Sequence, residues 1–386
     1  MLPVEVGSGY PYPKHPSNQE LSLLTKLRIA PNSSRWQIQL FMKILFIGLG
    51  SIGQRHLRNL RCIAGDSLDV IAFRSKNNGP VLDEQQRVIK NTNLGQHYKI
   101  KEFGDLDQAL ADKPDIAFIT NPSRHHISVA LKAAQAGCHL FIEKPLSTDT
   151  DGIVELMDLV NEKKLTAMVA YQYRFHPGLI QAAQWLKNKE IGRVTSATFI
   201  QGDYLPKWHP YEDYRDSYAS RKKLGGGVLL TQIHEFDNAL YLFGIPRRIF
   251  SVGGKLSRLE INVEDTASVL MECEQEGSVL PVTILTDFLQ YPPVRNYTII
   301  GDKGRIFLDL VSSSVSLTKL ETGEKESYNQ KNFKRNQLFL DELKHFLEAV
   351  SRKTVPIVNI KTGLASLRMV LAARKSMKTG EPISLK

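Results

Sequence analysis

A glycine-rich turn between an apolar strand and a helix constrains this chain more than any other feature. Residues 43–47 read as a buried strand, and residues 48–53 follow with the spacing G-x-G-x-x-G. The first glycine permits the tight turn, the second lets the backbone approach a pyrophosphate, and the third lets helix and strand pack closely. The helix that opens there offers free N–H groups to an anion. The predicted dinucleotide contacts are Gly48, Gly50, Ser51, Ile52 and Gly53.

From Met42 onward, short apolar strands alternate with amphipathic helices. The strands at 69–73, 115–119, 139–142 and 166–169 are apolar without alternation, which predicts a parallel sheet buried on both faces. In the second half, strand-like segments follow one another between turn signals, and this indicates an antiparallel sheet. The predicted fold class is α/β. It joins an N-terminal Rossmann domain with a doubly wound parallel sheet to a C-terminal α+β domain with an open, mostly antiparallel sheet.

The pattern along the chain predicts four segments. Residues 1–41 are rich in proline and carry no sustained pattern, so we expect a disordered leader and take Met42 as the true start. Residues 42–165 form the predicted dinucleotide-binding Rossmann domain. Residues 166–355 form the predicted substrate-binding and oligomerisation domain. Residues 356–386 are predicted to be a C-terminal helix that packs back on the body.

Composition and charge exclude several classes of protein. Of 386 residues, 42% are hydrophobic and 23% charged, as in ordinary globular proteins, and no apolar run approaches the roughly 20 residues of a membrane span. The three cysteines are too few and too widely spaced for a disulfide framework or a metal-binding pair, so we expect no metal and a cytoplasmic location. The net charge of +10 is scattered, which favours an anionic small molecule over a nucleic acid. We expect neither a nucleic-acid nor a membrane partner.

The end of the second strand bears on the choice of cofactor. Sites that bind NAD place an acidic residue about 20 residues after the glycines, where it binds the ribose 2′-hydroxyl. Here the strand end reads Phe73-Arg74-Ser75-Lys76, with no acidic residue. Arg74 can stack on adenine and pair with a 2′-phosphate, while Ser75 and Lys76 add a donor and a charge. The sequence favours NADP, with NAD as the alternative; a solvated loop with chance cations is the other interpretation.

Polar residues also follow two later strands of the predicted parallel sheet. Because open α/β sheets bind ligands at the carboxyl ends of their strands, we expect these residues to face the cofactor. A lysine there can hydrogen-bond a reacting hydroxyl or carbonyl and shuttle a proton, although spacing alone also permits a surface salt bridge between Lys144 and Glu143. The predicted contacts at these strand ends are Asn121, Pro122, His126, Glu143, Lys144 and Pro145.

With three glycines at 225–227 leading into His234, these motifs together resemble the glucose–fructose oxidoreductase / inositol dehydrogenase / rhizopine catabolism (Gfo/Idh/MocA) family, from Met42 to about the end of the chain. The resemblance implies an enzyme that uses NAD(P) on a hydroxyl of a sugar, inositol or related compound. It implies that Lys144 and His234 are catalytic and that a cis peptide bond precedes Pro145. Thr231 stands where the family usually presents an aspartate, a departure that removes a carboxylate beside His234.

Two stretches are predicted to shape the substrate pocket. One follows the last strand of the parallel sheet, and the other is a loop at 202–218 that is rich in aromatic and polar residues. Aromatic faces stack on sugar rings, while aspartate and tyrosine bind hydroxyls; packing of a dimer interface is the alternative role for these aromatics. The predicted substrate contacts are Arg174, His176, Asp203, Tyr204, Trp208, Tyr214, Thr231 and His234.

The sequence thus predicts an NAD(P)-dependent oxidoreductase, with NADP preferred. It would transfer hydride between nicotinamide and a hydroxyl or carbonyl carbon of a sugar, nucleotide sugar, inositol or related polyol. The same scaffold could instead reduce a non-sugar carbonyl or imine, or serve as a non-catalytic NADP-binding regulatory subunit, which only Thr231 suggests. The resemblance also implies a homodimer or homotetramer.

Overall fold

The computed structural model describes residues 42–65, 68–75, 79–330 and 332–385, so the predicted leader at 1–41 lies outside the described residues. Within them the chain forms two large sheets, a short hairpin and ten α-helices. None of the helices in these ranges is both long and apolar enough to cross a membrane.

The N-terminal half holds a six-stranded parallel sheet, as predicted. The first eight strands are β1 (Ile44–Ile47), β2 (Val70–Phe73), β3 (Val81–Leu82), β4 (Val88–Ile89), β5 (Lys101–Phe103), β6 (Ile116–Ile119), β7 (His139–Glu143) and β8 (Ala167–Ala170). Strands β3 and β4 form the hairpin, and the others run in the order β5-β2-β1-β6-β7-β8. This is the doubly wound order, in which ligands bind at the switch point beyond the carboxyl ends of the strands.

Buried strands and one-sided helices build this half. Every residue of β1 and β6 is buried, and Phe46, Phe118 and Phe141 stack across three neighbouring strands with ring centroids 4.9 and 4.8 Å apart. The helix at His126–Gln135 buries one apolar face, including Ile127, Ala130 and Ala134, and Gly137 follows it with φ of +90°. The first five helices are α1 (Ser51–Ala64), α2 (Leu94–Tyr98), α3 (Leu106–Ala111), α4 (His126–Gln135) and α5 (Ile153–Glu162).

The C-terminal half holds a nine-stranded sheet. Its strands are β9 (Val194–Gly202), β10 (Arg248–Gly254), β11 (Thr266–Gln275), β12 (Ser278–Asp287), β13 (Val294–Gly301), β14 (Gly304–Asp309), β15 (Ser314–Lys319), β16 (Lys325–Asn329) and β17 (Ile383–Ser384). They run in the order β16-β15-β14-β13-β9-β12-β11-β10-β17, and among the described strands of this sheet all neighbours are antiparallel except β9 and β12. The expectation of a mostly antiparallel sheet is confirmed.

One face of this second sheet is covered and the other is open. Buried and exposed residues alternate along β11 and β12, as expected of a sheet with one solvated face. The remaining helices are α6 (Pro177–Lys187), α7 (Val228–Thr231), α8 (His234–Phe243), α9 (Asn336–Arg352) and α10 (Ile360–Thr379). Helix α10 fixes its position against β10, where the backbone N–H of Ser251 donates to the Ser376 hydroxyl at 2.9 Å.

Helix α9 returns to the first sheet although it lies late in the sequence. Its Phe346 packs edge-on against Phe118 and Phe141, with centroids 6.0 and 5.3 Å apart. Near the start of α9, the side chain of Asn336 exchanges two hydrogen bonds with the side chain of Asn59, which lies on helix α1. Helix α9 therefore packs on the first sheet and on helix α1, although it follows most strands of the second sheet in the sequence.

Candidate active site

The glycine-rich turn has the geometry that its spacing predicts. Gly48 has φ of +94°, and a Cβ there would lie 2.9 Å from the backbone nitrogen of Asn121. A Cβ on Gly53 would lie 2.7 Å from the Gly48 carbonyl oxygen and 2.8 Å from Thr120 Oγ1. A Cβ on Gly50 would meet open space. Two glycines are therefore required by packing, and the third faces the space where a pyrophosphate would approach.

Donors surround that space. Gly50 precedes helix α1 without a side-chain cap, so the first N–H groups of the helix, beginning at Ser51 and Ile52, point out of its end. Tyr211, in a loop of the second half, reaches Ser51 at this turn and hydrogen-bonds with it. Burial raises the pKa of Tyr211 to about 12, and the hydrogen bond with Ser51 opposes that effect. Asn121 Oδ1 is buried with no partner among the described residues. The turn therefore fits the pyrophosphate of a nicotinamide dinucleotide, which Gly50 and the helix end would hold.

The end of β2 differs from its sequence-based interpretation. Arg74 is 7% exposed, and its Nη1 lies 2.6 Å from Oε1 of Glu102 on the neighbouring strand β5. An acidic residue, Glu102, therefore lies beside the end of β2, where the sequence itself has none. It comes from strand β5, which pairs with β2. Ser75 is exposed beside it, and Lys76 lies outside the described residues.

His126 lies between the ends of two strands. Its Nδ1 lies 2.9 Å from the Pro145 carbonyl oxygen and its Nε2 lies 2.8 Å from the Asn121 carbonyl oxygen. Burial, the larger influence, lowers the pKa of His126 despite these contacts. His126 therefore links the two strand ends, and its predicted cofactor contact stays a prediction. Pro122 is exposed next to this link.

Lys144 reaches from the first half of the molecule into the second. Its Nζ donates to the Thr231 carbonyl oxygen at 3.0 Å. Burial lowers the pKa of Lys144, while the nearby charge of Glu143 opposes that effect. The peptide bond between Lys144 and Pro145 is cis, as the resemblance implied. A lysine amine of lowered pKa in a cleft is suited to exchange protons with a bound hydroxyl.

A buried pair supports Lys144 from behind. Glu143 Oε1 lies 2.7 Å from Nε2 of His56, which is fully buried on α1, and Glu143 Oε2 accepts from the Lys144 backbone N–H at 3.0 Å. Burial alone would raise the pKa of Glu143, but His56 and Lys144 hold it below its usual value. Both Glu143 oxygens are engaged, so Glu143 supports Lys144, and its predicted cofactor contact stays a prediction. Sequence analysis missed His56; its only signal was a polar residue on the buried face of α1.

His234 lies beside the Lys144 amine. Helix α7 ends at Thr231, Gln232 and Ile233 form a break, and His234 begins helix α8. Burial, followed by the charge of Lys144, lowers the pKa of His234 well below its usual value, so the imidazole is neutral near pH 7. The Thr231 hydroxyl donates to the Gly227 carbonyl oxygen at 2.8 Å. Thr231 therefore serves this site through its backbone oxygen rather than its side chain.

A second buried ion pair lies next to His234 and was not found from the sequence. Arg295 Nε lies 2.8 Å from Glu235 Oε1, and Arg295 Nη2 donates to the Gln232 side chain at 2.9 Å. The guanidinium also lies over the ring of Tyr173, 4.4 Å from its centroid, and that ring packs against His234 at 5.0 Å. This cluster places several hydrogen-bonding groups on the wall of the cleft that faces Lys144.

Two predicted substrate contacts take part in the fold of the second half. Arg174 is held by both carboxylate oxygens of Asp237, at 2.6 and 2.8 Å, in a buried ion pair. His176 is fully buried at the start of α6, where its Nδ1 accepts from the Gly178 N–H at 3.1 Å. Both side chains support the fold of the second half, and their predicted substrate contacts stay predictions.

Residues of the aromatic loop at 202–218 divide between packing within the chain and a position near the Arg295 cluster. Trp208 packs edge-on against Phe288 with centroids 5.3 Å apart, and the Tyr214 hydroxyl accepts from the Glu260 backbone N–H at 3.3 Å. Both residues therefore anchor the loop. Burial raises the pKa of Asp203, while the charge of Arg295 opposes that effect, so this carboxyl lies near the Arg295 cluster with Tyr204 next to it. Among the described residues, no group of histidine, cysteine and acidic side chains could hold a metal ion.

The glycines give a test of the cofactor site. Gly50→Ala should keep its fold, because φ of −69° and ψ of −170° suit alanine, yet should weaken NAD(P)H binding by about tenfold or more as the methyl enters the pyrophosphate space. Gly53→Ala should lower the melting temperature instead, since its Cβ has no room. Gly104→Ala, at another open site, is the control. Binding by Gly50→Ala equal to that of wild type would show that the pyrophosphate does not approach this turn.

Comparison with known proteins follows the same division of the chain. The family model described as "Oxidoreductase family, NAD-binding Rossmann fold" matches residues 42–171, and the one described as "Oxidoreductase family, C-terminal alpha/beta domain" matches residues 183–385. Myo-inositol 2-dehydrogenase of Thermotoga maritima is 26% identical over 89% of this chain and 98% of its own length. D-glucoside 3-dehydrogenase of Escherichia coli is 24% identical over 89% of this chain and 97% of its own.

Solved structures agree in fold. Levoglucosan dehydrogenase in complex with NADH and levoglucosan superposes with a TM-score of 0.74 over 89% of this chain and 99% of its own, at 16% identity. The resemblance read from the motifs is thus confirmed over both halves of the molecule. The chain belongs to the Gfo/Idh/MocA oxidoreductase family, with its NAD-binding Rossmann fold and C-terminal α/β domain.

Proposed function

We propose that this protein transfers hydride between the nicotinamide of NAD(P) and a hydroxyl-bearing carbon of a sugar, nucleotide sugar, inositol or related polyol. The observation that carries the proposal is the contact of Lys144 Nζ with the Thr231 carbonyl oxygen. It puts a buried amine from the cofactor-binding sheet beside His234 of the second half. The relatives named for inositol and glucoside dehydrogenases support a polyol substrate.

The residues of the cleft suit the proton side of this reaction. When bound, the nicotinamide supplies the acceptor or donor of hydride. Because its pKa is lowered, Lys144 gives up its own proton more readily, and in its deprotonated form it takes the proton of a substrate hydroxyl as the carbon loses hydride. The neutral His234 can accept a hydrogen bond from the same hydroxyl or pass its proton on. Glu143 and His56 keep the lysine backbone fixed while its side chain exchanges protons.

Lys144→Ala tests this role. It should leave NAD(P)H affinity near the wild-type value and lower turnover on inositol, glucosides or levoglucosan by roughly a hundredfold or more, the scale of a lost proton-transfer group. Lys163→Ala, an exposed lysine after α5, is the matched control and should retain activity. Cofactor reduction followed at the nicotinamide absorbance is the measurement. Near wild-type turnover by Lys144→Ala would rule out the mechanism.

We propose NADP as the preferred cofactor, with NAD also bound. Arg74 is the group that would pair with a 2′-phosphate, but Glu102 already holds one of its nitrogens and would repel that phosphate. The preference for NADP should therefore be modest, because the 2′-phosphate must share the guanidinium with a carboxylate. Glu102 is also placed where it could accept a hydrogen bond from the 2′-hydroxyl of NAD.

Substitution of Glu102 and substitution of Arg74 should shift the preference between NADPH and NADH in opposite directions. Glu102→Gln should improve NADPH affinity relative to NADH by about tenfold, and Arg74→Ala should reduce it by a similar factor, the scale of one charge-assisted contact. Glu162→Gln, an exposed acid on α5, is the control. Both cofactors are titrated by fluorescence. Unchanged NADPH-to-NADH ratios in both variants would place the adenosine ribose away from this pair.

We propose a homodimer, or a homotetramer built from it, that assembles through the open face of the second sheet. Phe250, Val252 and Leu270 are 36%, 56% and 45% exposed on this face. Phe250 and Leu270 are cross-strand partners, and their row continues through Thr283 and Thr198. A flat apolar face of this kind is suited to a second copy of the same sheet.

The double variant Phe250→Glu, Leu270→Glu should reduce the mass in solution to that of a monomer, because four charges would face one another across a two-fold interface. Light scattering after size exclusion gives the mass. Val355→Glu, at a valine that is 75% exposed elsewhere, should leave the mass unchanged. An oligomer that survives the double variant would place the interface on another surface.

A further inference from the structure

Two arginines lie together at the mouth of the cleft. Arg55 is on α1, one turn beyond the glycine-rich turn, and its guanidinium stacks on Phe339 of α9 at 4.8 Å from the ring centroid. Arg335 precedes α9 and stands four residues before Phe339, so the two share one side of the helix start. The stack on Phe339 therefore brings Arg55 and Arg335 into one neighbourhood.

The segment that carries Arg335 is fixed at both ends. The ring of Phe333 packs against His176 of the second half, with centroids 5.1 Å apart. On the other side, Asn336 Nδ2 donates to Asn59 Oδ1 of α1 at 2.8 Å. Arg335 lies between these contacts, on a bridge from one half of the molecule to the other, and it is exposed.

These two arginines differ from other arginines of the site in their ion pairs. Within the ranges that the structure describes, no ion pair joins Arg55 or Arg335 to a carboxylate, whereas Arg295 is paired with Glu235 and Arg74 with Glu102. Burial is the largest influence that lowers the pKa of Arg55 to about 10; the charges of Arg335 and Arg58 act in the same direction, and the charge of Glu143 opposes them. Two neighbouring like charges repel each other, and an anion held between them would relieve that repulsion.

Arg335 also acts on the reacting end of the cleft. After burial and nearer charges, its charge contributes to lowering the pKa of Lys144 and of His234, and it favours the ionised form of Asp203. Lys144 and His234 are the proposed proton-transfer groups, so the charge of Arg335 acts on the reacting end of the site. An anion between the arginines could therefore belong to a molecule that also reaches Lys144.

We propose that Arg55 and Arg335 form a subsite for an acidic group of the substrate, either a carboxylate or a phosphate ester. Guanidinium groups bind both anions through paired N–H donors, and two of them can hold one anion from two sides. This inference rests on the proposed function and narrows it to an acidic or phosphorylated polyol. The subsite binds one end of the substrate while Lys144 meets a hydroxyl at the other.

The same chemistry could serve the pyrophosphate of the cofactor, since Arg55 follows the glycine-rich turn by one helical turn. Inorganic phosphate separates the two sources. The enzyme is first saturated with NADH and then titrated with phosphate at constant ionic strength, with thermal shift and calorimetry as readouts. The variants are Arg335→Gln and Arg55→Gln, and Arg258→Gln, at an exposed arginine between β10 and β11, is the control.

Phosphate should bind the NADH-saturated wild type, and each of the two variants should weaken that binding by about tenfold or more while NADH affinity stays within a few-fold. Arg258→Gln should behave as wild type. Equal phosphate binding by all variants would overturn the subsite. A loss of NADH affinity in the variants, with no phosphate binding to the saturated wild type, would assign the arginines to the cofactor and overturn the substrate subsite. None of these readouts needs turnover, so the subsite can fail while the proposed reaction stands.

Discussion

The hydrogen bond from Lys144 to the Thr231 carbonyl oxygen is the contact on which the rest of this site depends. It crosses from the carboxyl end of a parallel strand to the break between two helices of the other half. Two further links hold the same arrangement: Ser123 pairs with Tyr218 at 3.0 Å, and Asn336 pairs with Asn59. All three contacts join the first half of the molecule to the second, so Lys144 is held beside the break between α7 and α8.

The cleft concentrates groups that a folded protein would otherwise avoid burying. Lys144, His234 and Arg295 are brought together out of water, and burial is the leading influence on the pKa of both Lys144 and His234. A carboxylate accompanies two of these groups. Glu143 accepts a hydrogen bond from the Lys144 backbone N–H, and Glu235 forms an ion pair with Arg295. Buried groups with shifted pKa values are typical of functional sites, because burying them destabilises the folded protein.

The sequence predicted the features that depend on local pattern. The glycine spacing, the buried strands and the strand-end lysine follow from residues close together in the chain, and the structure brings Lys144 and His234 to one cleft. Partners that come from distant elements could not be predicted. Glu102 meets Arg74 only because β5 pairs with β2, and His56 meets Glu143 across 87 residues. Arg174 and His176 looked equally suited to a ligand, and their support of the fold, through pairing with Asp237 and burial at the start of α6, could not be predicted either.

The most direct measurement of the central claim follows the hydrogen that leaves the substrate carbon. A polyol deuterated at its carbon-bound positions is incubated with the enzyme and NAD(P)⁺ in ordinary water, and the reduced cofactor is analysed by mass spectrometry and NMR. Direct hydride transfer in the cleft between Lys144 and His234 predicts one deuterium on the nicotinamide of each reduced molecule. Conversion of the polyol with the label lost to water and no labelled cofactor would contradict the account.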